Sequence, residues 1–321
     1  MFFTVAIACL LTTHSRVAVD AQNSSSGGIP EGYKLIEGDI LVPEGFPGQG
    51  GGGSTFGDAT FWPGGIVPYE FDGNTTAQNQ TDMLAAMAEI EAVSAVQFRP
   101  KVAGDAGWLH IQDSTGNNSH VGMQGGSQIV NITSWTFVFV MVHELFHALG
   151  FWHEHSRPDR DGFLQINYAN VCQDCCLGGS CDHDFDIRAA ADVYGPYDFG
   201  SLMHYHQFTF SSNGMPTITV LPPNDVFWQD RIGQRTRMST LDQLTVSFLY
   251  PEPDWRFVAL DCAGGSPVGT LLDPFCDPVA ANNDAPLDST VWIEPGSYPA
   301  VGVYTRRMTL AAPLGNVVLG N

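Results

Sequence analysis

Val142–Asp161 reads VHELFHALGFWHEHSRPDRD. His143 and His147 lie four residues apart in it, with Glu144 between them. On a helix that spacing puts both imidazoles on one face about a turn apart, where two nitrogens can grip one small cation. Glu144 sits beside them and can polarise a metal-bound water without acting as a ligand. Gly150 takes positive φ without a steric penalty and can end the helix. The chain can then turn back and deliver His153 as a third ligand. Three protein ligands and one open position describe a catalytic zinc site, since a structural site is closed by a fourth ligand. The competing reading is a core helix with two hydrogen-bonded histidines.

The extended pattern H-E-x-x-H-x-x-G-x-x-H resembles that of the metzincins. Glu154, continued as His155, Arg157, Asp159, Arg160 and Asp161, resembles the astacin branch. Asp198–Tyr205, DFGSLMHY, agrees independently, its Ser-x-Met-His-Tyr being similar to that family's Met-turn. The resemblance covers roughly residues 36–40 and 54–250. It implies an α+β, two-lobed metzincin catalytic domain: a twisted, mostly parallel sheet with helices above, and an irregular lower lobe with a C-terminal helix. It implies one Zn²⁺ per chain, held by His143, His147 and His153. Tyr205 is then a further ligand at rest that swings away to hydrogen-bond the oxyanion. Met203 forms an apolar floor, and Glu144 takes a proton from the attacking water and returns it to the leaving amine. Arg235, after Gly233-Gln234, lines the pocket just beyond the scissile bond, where paired hydrogen bonds would select Asp or Glu. A plain surface arginine is the competing reading there. The implied function is a secreted zinc endopeptidase made as a latent precursor. The alternative is a zinc-bearing adhesion or recognition protein without turnover, and the intact Glu144 speaks against it.

The N-terminal Phe2–Leu11 is an apolar run of secretory length, with Ala21 as a small residue at a cleavage site, so residues 1–21 read as a signal peptide. Neither this run nor any later one is long enough to span a bilayer. Six cysteines remain once Cys9 is removed, an even number that suits an oxidising compartment. Sequons at Asn23, Asn74, Asn79, Asn117 and Asn131 are compatible with secretion and glycosylation. A net charge of −21, from 13 Lys+Arg against 34 Asp+Glu, makes nucleic acid and anionic membrane surfaces poor partners. The expected partners are protein or peptide substrates and an activating protease, and the chain is expected to be a monomer.

Residues 22–52, rich in Gly, Ser and Pro and ending in GQGGGG, read as a pro-segment with a cleavable junction. Within it Ile36-Glu37-Gly38-Asp39 resembles the astacin latency motif, which makes Asp39 the ligand that blocks the metal's open position; an ordinary Gly-Asp turn is the alternative. The resemblance places the mature N-terminus near Gly53, its amino group pairing with Glu154, and the catalytic domain over 53–253. A surface salt bridge is the other reading of Glu154.

Helical spacing predicts a backing helix from Thr81 or Asp82 to about Ser94, and Trp135–Leu149 as the zinc helix. Strands are expected near Val96–Arg99, Trp108–Gln112 and Gln128–Ile132, with His120–Gly126 forming the rim of the cleft. Ser239 and Asp242 predict the cap of a helix over Thr240–Leu249. His110, His120, His204 and His206 are expected to be structural. Cys172, Cys175, Cys176 and Cys181 are expected to form two local disulfides of unspecified pairing. Ala95, Trp135 and Pro251–Pro253 stand where most astacin domains carry cross-linking cysteines, so both usual long bridges are expected to be missing. Residues 254–321 read as a small β extension resembling one turn of a parallel β-helix, with Cys262 paired to Cys276.

Overall fold

A computed structural model describes residues 29–44, 60–174, 179–189, 193–260, 262, 269–270, 274–299, 302–312 and 316–320. The expected signal peptide, the Gly-rich junction, the expected mature N-terminus near Gly53, Asn23, Cys175 and Cys176 lie outside the described residues.

Tyr33–Ile36 (β1) and Ile40–Pro43 (β2) form an antiparallel pair at one edge of the main sheet. Ile66–Phe71 (β3) leads to the helix Ala77–Glu91 (α1), then Gln97–Pro100 (β4), Gly107–Asp113 (β5), Asn118–Ser119 (β6) and Gly126–Ile132 (β7). The sheet order is β1-β2-β6-β7-β5-β3-β4. Its centre is parallel, β4 to β3 to β5 to β7, and β6 runs antiparallel to β7. The rim strand β6 takes β2 in parallel, Ile40 opposite Ser119, with the Ser119 N–H donating to the Asp39 carbonyl at 2.9 Å. Inward residues Leu109, Ile111, Val130 and Ile132 alternate along β5 and β7, and pack with Met83, Met87 and Ile90 of α1.

The backing helix starts four or five residues earlier than its apolar spacing predicts. Its first turn is polar, so periodicity misses it, but Thr76 caps it by accepting from the Asn79 N–H at 3.1 Å. The zinc helix, Val138–Leu149 (α2), starts later than Trp135. The Trp135 indole instead donates to Asp113 at 2.7 Å, which holds that residue on the sheet.

Below the cleft, Leu164–Ile166 (β8) pairs antiparallel with Ile218–Val220 (β9), and a short helix, Asp225–Trp228 (α3), follows. Thr240–Leu249 (α4) carries a full capping box, with Ser239 and Asp242 bonding each other's backbone N–H. A second apolar cluster, including Phe185, Tyr197, Phe199, Tyr205 and Ile232, fills this lobe.

Cys172 and Cys181 each take part in a disulfide. Near two of the places that lack cysteines, Ala95 and Pro251, backbone hydrogen bonding ties the end of the backing helix to the end of α4. The Ala95 N–H donates to the Tyr250 carbonyl at 3.0 Å, and the Tyr250 hydroxyl donates to the Leu149 carbonyl at 2.7 Å. The sequon at Asn131 is not a glycan site in this fold. Its side chain is fully buried, accepting from Gln112 at 2.7 Å and donating to Asn118 at 2.8 Å.

In the extension, Arg256–Val258 (β10) is followed by Pro278–Asp284 (α5), Thr290–Ile293 (β11), Gly296–Tyr298 (β12), Thr309–Ala311 (β13) and Val317–Leu319 (β14). β10, β11 and β13 are parallel neighbours, as are β12 and β14, and Cys262 is bonded to Cys276. Phe257 and Trp292 belong to the main core, packed on Phe248.

Candidate metal centre

α2 ends where the sequence changes from apolar residues to glycine. Gly150 has φ 113° and its N–H donates to the His147 carbonyl at 2.8 Å. This left-handed stop reverses the chain and brings His153 back to His143 and His147. All three imidazoles are buried. Each Nδ1 has a fixed acceptor: the Leu202 carbonyl at 3.0 Å for His143, the Phe151 carbonyl at 2.7 Å for His147 and Glu37 Oε2 at 2.8 Å for His153. A ring that donates from Nδ1 presents a bare lone pair at Nε2, which is the tautomer a cation requires.

Those Nε2 atoms converge on the Asp39 carboxylate. Asp39 Oδ2 is 3.2 Å from His143, and Oδ1 is 3.6 Å from His147 and 3.3 Å from His153. The donor atoms of the four residues lie within 4.8 Å of one another. His147 Nε2 and Asp39 Oδ1 are buried and lack a hydrogen-bond partner. Two orphaned acceptors within a converging group of three imidazoles and a carboxylate fit zinc.

Glu144 lies beside this group, buried, with both carboxyl oxygens free of hydrogen bonds. Burial, then the charge of Asp39, raises its carboxyl well above the usual range. Burial would also raise Asp39, but the three histidines outweigh it and hold its carboxyl well below. The histidines thus favour the charge on Asp39, while burial and that charge disfavour one on Glu144.

Met203 is buried in the main core, its N–H donating to Ser201 Oγ at 2.9 Å and its carbonyl accepting from the Glu154 N–H at 3.0 Å. Asp39 stands among the imidazoles, and the Tyr205 hydroxyl donates to the Glu37 backbone carbonyl instead. The Tyr205 ring stacks on His155, centroids 3.7 Å apart. Arg235 donates to the His204 and Gln234 carbonyls, both at 3.0 Å. Burial lowers its pKa, opposed by the charges of Asp39 and Glu144.

Glu154 is buried and accepts from Arg157 at 2.9 Å and from the Asp198 N–H at 2.8 Å. It lines a cavity of about 20 Å³ with Asp198 and Asp242. Burial raises all three carboxyls, Glu154 to about 8 and Asp242 to about 6. The other histidines are occupied elsewhere: His110 lies between Glu70 and Asp72, and His204 bonds the Tyr197 hydroxyl at 2.9 Å. Glu37 and Arg188 form part of the site and carry no motif; only the neighbouring Gly38-Asp39 points to the first, and nothing in the sequence points to the second.

Imidazoles placed to hold a cation beside a buried, unbonded carboxyl, under a mostly parallel sheet, define a zinc metalloendopeptidase domain of the metzincin type. Residues 55–251 match the family model of the astacin peptidases. The chain belongs to the astacin family. It is 37% identical over 194 residues to zinc metalloproteinase nas-14 of Caenorhabditis elegans, spanning 59% of this chain and 37% of that protein. It is 33% identical over 226 residues to the low choriolytic enzyme of Oryzias latipes, spanning 68% of this chain and 78% of that one. The solved structure of high choriolytic enzyme 1, a hatching enzyme zinc-protease of Oryzias latipes, matches with TM-score 0.52 and 28% identity, over 60% of this chain and 93% of that chain. Family members are zinc enzymes, and the cofactor is zinc.

Proposed function

We propose that this chain is a secreted endopeptidase made as a latent precursor, with residues 1–21 as signal peptide, 22–52 as removable pro-segment, 53–253 as catalytic domain and 254–321 as an extension. The observation that carries this reading is the Asp39 carboxylate set against His143, His147 and His153 with Glu144 idle beside them. No helix among the described residues is long and apolar enough to cross a membrane.

Zinc held by His143, His147 and His153 supplies Lewis acidity, lowering the pKa of a water and polarising a carbonyl. In the precursor Asp39 fills the position that water needs. When the pro-segment leaves, Glu144 loses the like charge that holds its proton. It then accepts a proton from the attacking water and passes it to the leaving amine. Tyr205 loses the Glu37 carbonyl and turns its hydroxyl to the developing oxyanion. Arg235 faces the same cleft with a charge suited to an acidic residue just after the scissile bond. The freed N-terminal ammonium enters the cavity at Glu154, where burial raises the carboxyl to about 8 and an entering cation stabilises its charged form.

The test compares the full chain with the same chain cut in residues 45–53. The full chain is expected to be silent on casein, and the cut chain to cleave it until a chelator is added. Glu144→Ala should keep its zinc and lose cleavage by about 10² to 10⁴-fold. A processed Glu144→Ala protein that cleaves at the parent rate would sink this mechanism.

A further inference from the structure

Two residues before Asp39, the Glu37 side chain enters a second pocket in the same cleft. Its carboxylate is fully buried. One oxygen accepts from Arg188, from Nε at 2.6 Å and also from Nη2, and the other accepts from His153 Nδ1 at 2.8 Å. Its backbone has φ 49°, a left-handed conformation uncommon for a residue with a side chain, so the segment is bent to deliver this group. Arg188 lies 151 residues further along the chain. Its guanidinium stacks over the Trp152 ring at 4.5 Å, and its N–H is anchored on the Ser156 carbonyl at 2.7 Å. The pocket therefore belongs to the catalytic part of the chain, and its occupant to the pro-segment.

The Arg188 side chain is 9% exposed with the pro-segment in place, and removal of that segment takes away its carboxylate partner. A buried charge needs a partner, and a rigid guanidinium fork receives any carboxylate in the same geometry. We propose that Arg188, backed by Trp152 and flanked by His153 Nδ1, is a carboxylate-binding subsite of the cleft, filled by Glu37 in the precursor and by an aspartate or glutamate side chain of a peptide in the processed enzyme. This rests on the reading of residues 22–52 as a removable segment. It is a separate subsite from Arg235, which donates to the His204 and Gln234 carbonyls. The competing fate of Arg188 is collapse onto Asp184, the acid whose carboxyl accepts from the Glu37 N–H.

The full chain, folded and then cut in residues 45–53, is freed of its pro-segment. The probe is a synthetic peptide of the Tyr33–Pro43 sequence, with Glu37 or with Gln in its place, and binding is measured by calorimetry. The parent protein should bind the Gln peptide at least about tenfold more weakly, as expected for loss of a charge-assisted pair. Arg188→Gln should bind the two peptides about equally, and Arg188→Lys should fall between, which guards against a misfolded variant. In a second arm, Glu and Gln are scanned across a cleavable peptide. The Glu-to-Gln ratio in kcat/KM at one position should collapse in Arg188→Gln, at a position different from the one that responds to Arg235→Gln. Equal Glu preference in the parent and in Arg188→Gln would overturn the subsite, as would no preference in the parent, the result expected if Asp184 claims Arg188. Glu-dependent binding without any cleavage leaves the subsite standing and removes the proposed activity. Cleavage with no role for Arg188 does the reverse.

Discussion

Asp39 and Glu144 are two buried carboxyls beside one set of imidazoles, and burial resists charging both. The histidines favour the charge on Asp39, which leaves Glu144 protonated and unable to accept a proton. Replacing Asp39 should therefore act twice, opening the ligand position and releasing Glu144. Uncut Asp39→Ala chain is expected to cleave a peptide at least about tenfold faster than the uncut parent, or ~1.4 kcal/mol in barrier, yet more slowly than the processed parent, because Tyr205 is still held by the Glu37 carbonyl. A silent, zinc-loaded Asp39→Ala precursor would show that bulk of the pro-segment, and not this carboxylate, sets latency. The three histidines and Glu144 are legible in the sequence because the helix repeat makes neighbours of residues four apart. Glu37 and Arg188 are not, because their pairing across 151 residues leaves no local spacing to read. Tyr205 is legible as a residue of the site, but its partner depends on what fills the cleft.

At the scale of elements, the site hangs from two helix ends. The C-terminus of α2 supplies the reversal at Gly150, and the N-terminus of α4 fixes the turn that carries Met203. Asp242 closes the α4 capping box and also accepts from Ser201 Oγ at 2.7 Å and from the Leu202 N–H at 2.8 Å. The Leu202 carbonyl in turn holds His143 Nδ1. One carboxyl thus links a helix cap to the tautomer of a metal ligand. Asp242→Ala is expected to cost about 2 to 4 kcal/mol, from the lost cap and two buried donors left without partners. It should also weaken zinc binding by roughly ten- to a hundredfold, the usual effect of losing a group that orients a ligand through its neighbours. Denaturant unfolding checks the first and chelator competition the second; unchanged zinc affinity would break the proposed link. The capping box itself is readable from Ser239 and Asp242, three apart. Its grip on Ser201 is not, because side-chain hydrogen bonds between distant loops follow no period. The lower lobe is obscure for the same reason: β8 and β9 are three residues each, too short for an alternation to repeat.

For the whole molecule, the question is whether residues 254–321 are a passenger or part of the same cooperative unit. The extension has a small core of its own around Val258, Phe275, Val291 and Tyr298. It also gives side chains to the catalytic core. Alternation along β10 sends Phe257 towards Phe248 of α4 and Val258 the other way, and β11 does the same with Trp292 against Val291 and Ile293. Trp292 is 5% exposed and stacks on Trp255 with centroids 5.2 Å apart. The apolar run Val291–Ile293 marks β11 in the sequence, but β10 and the two-faced use of both strands appear only once the sheet is set beside α4. A shared core predicts shared unfolding. Trp292→Ala should destabilise the full chain by about 3 to 5 kcal/mol, as for other buried Trp truncations, and the loss should appear in the catalytic part as well. Zinc release and tryptophan fluorescence, followed together through a urea titration, should give one coincident transition at lower urea than the parent. If the variant instead unfolds in two steps, with zinc released at the parental midpoint, the extension is an independent unit that merely touches the enzyme.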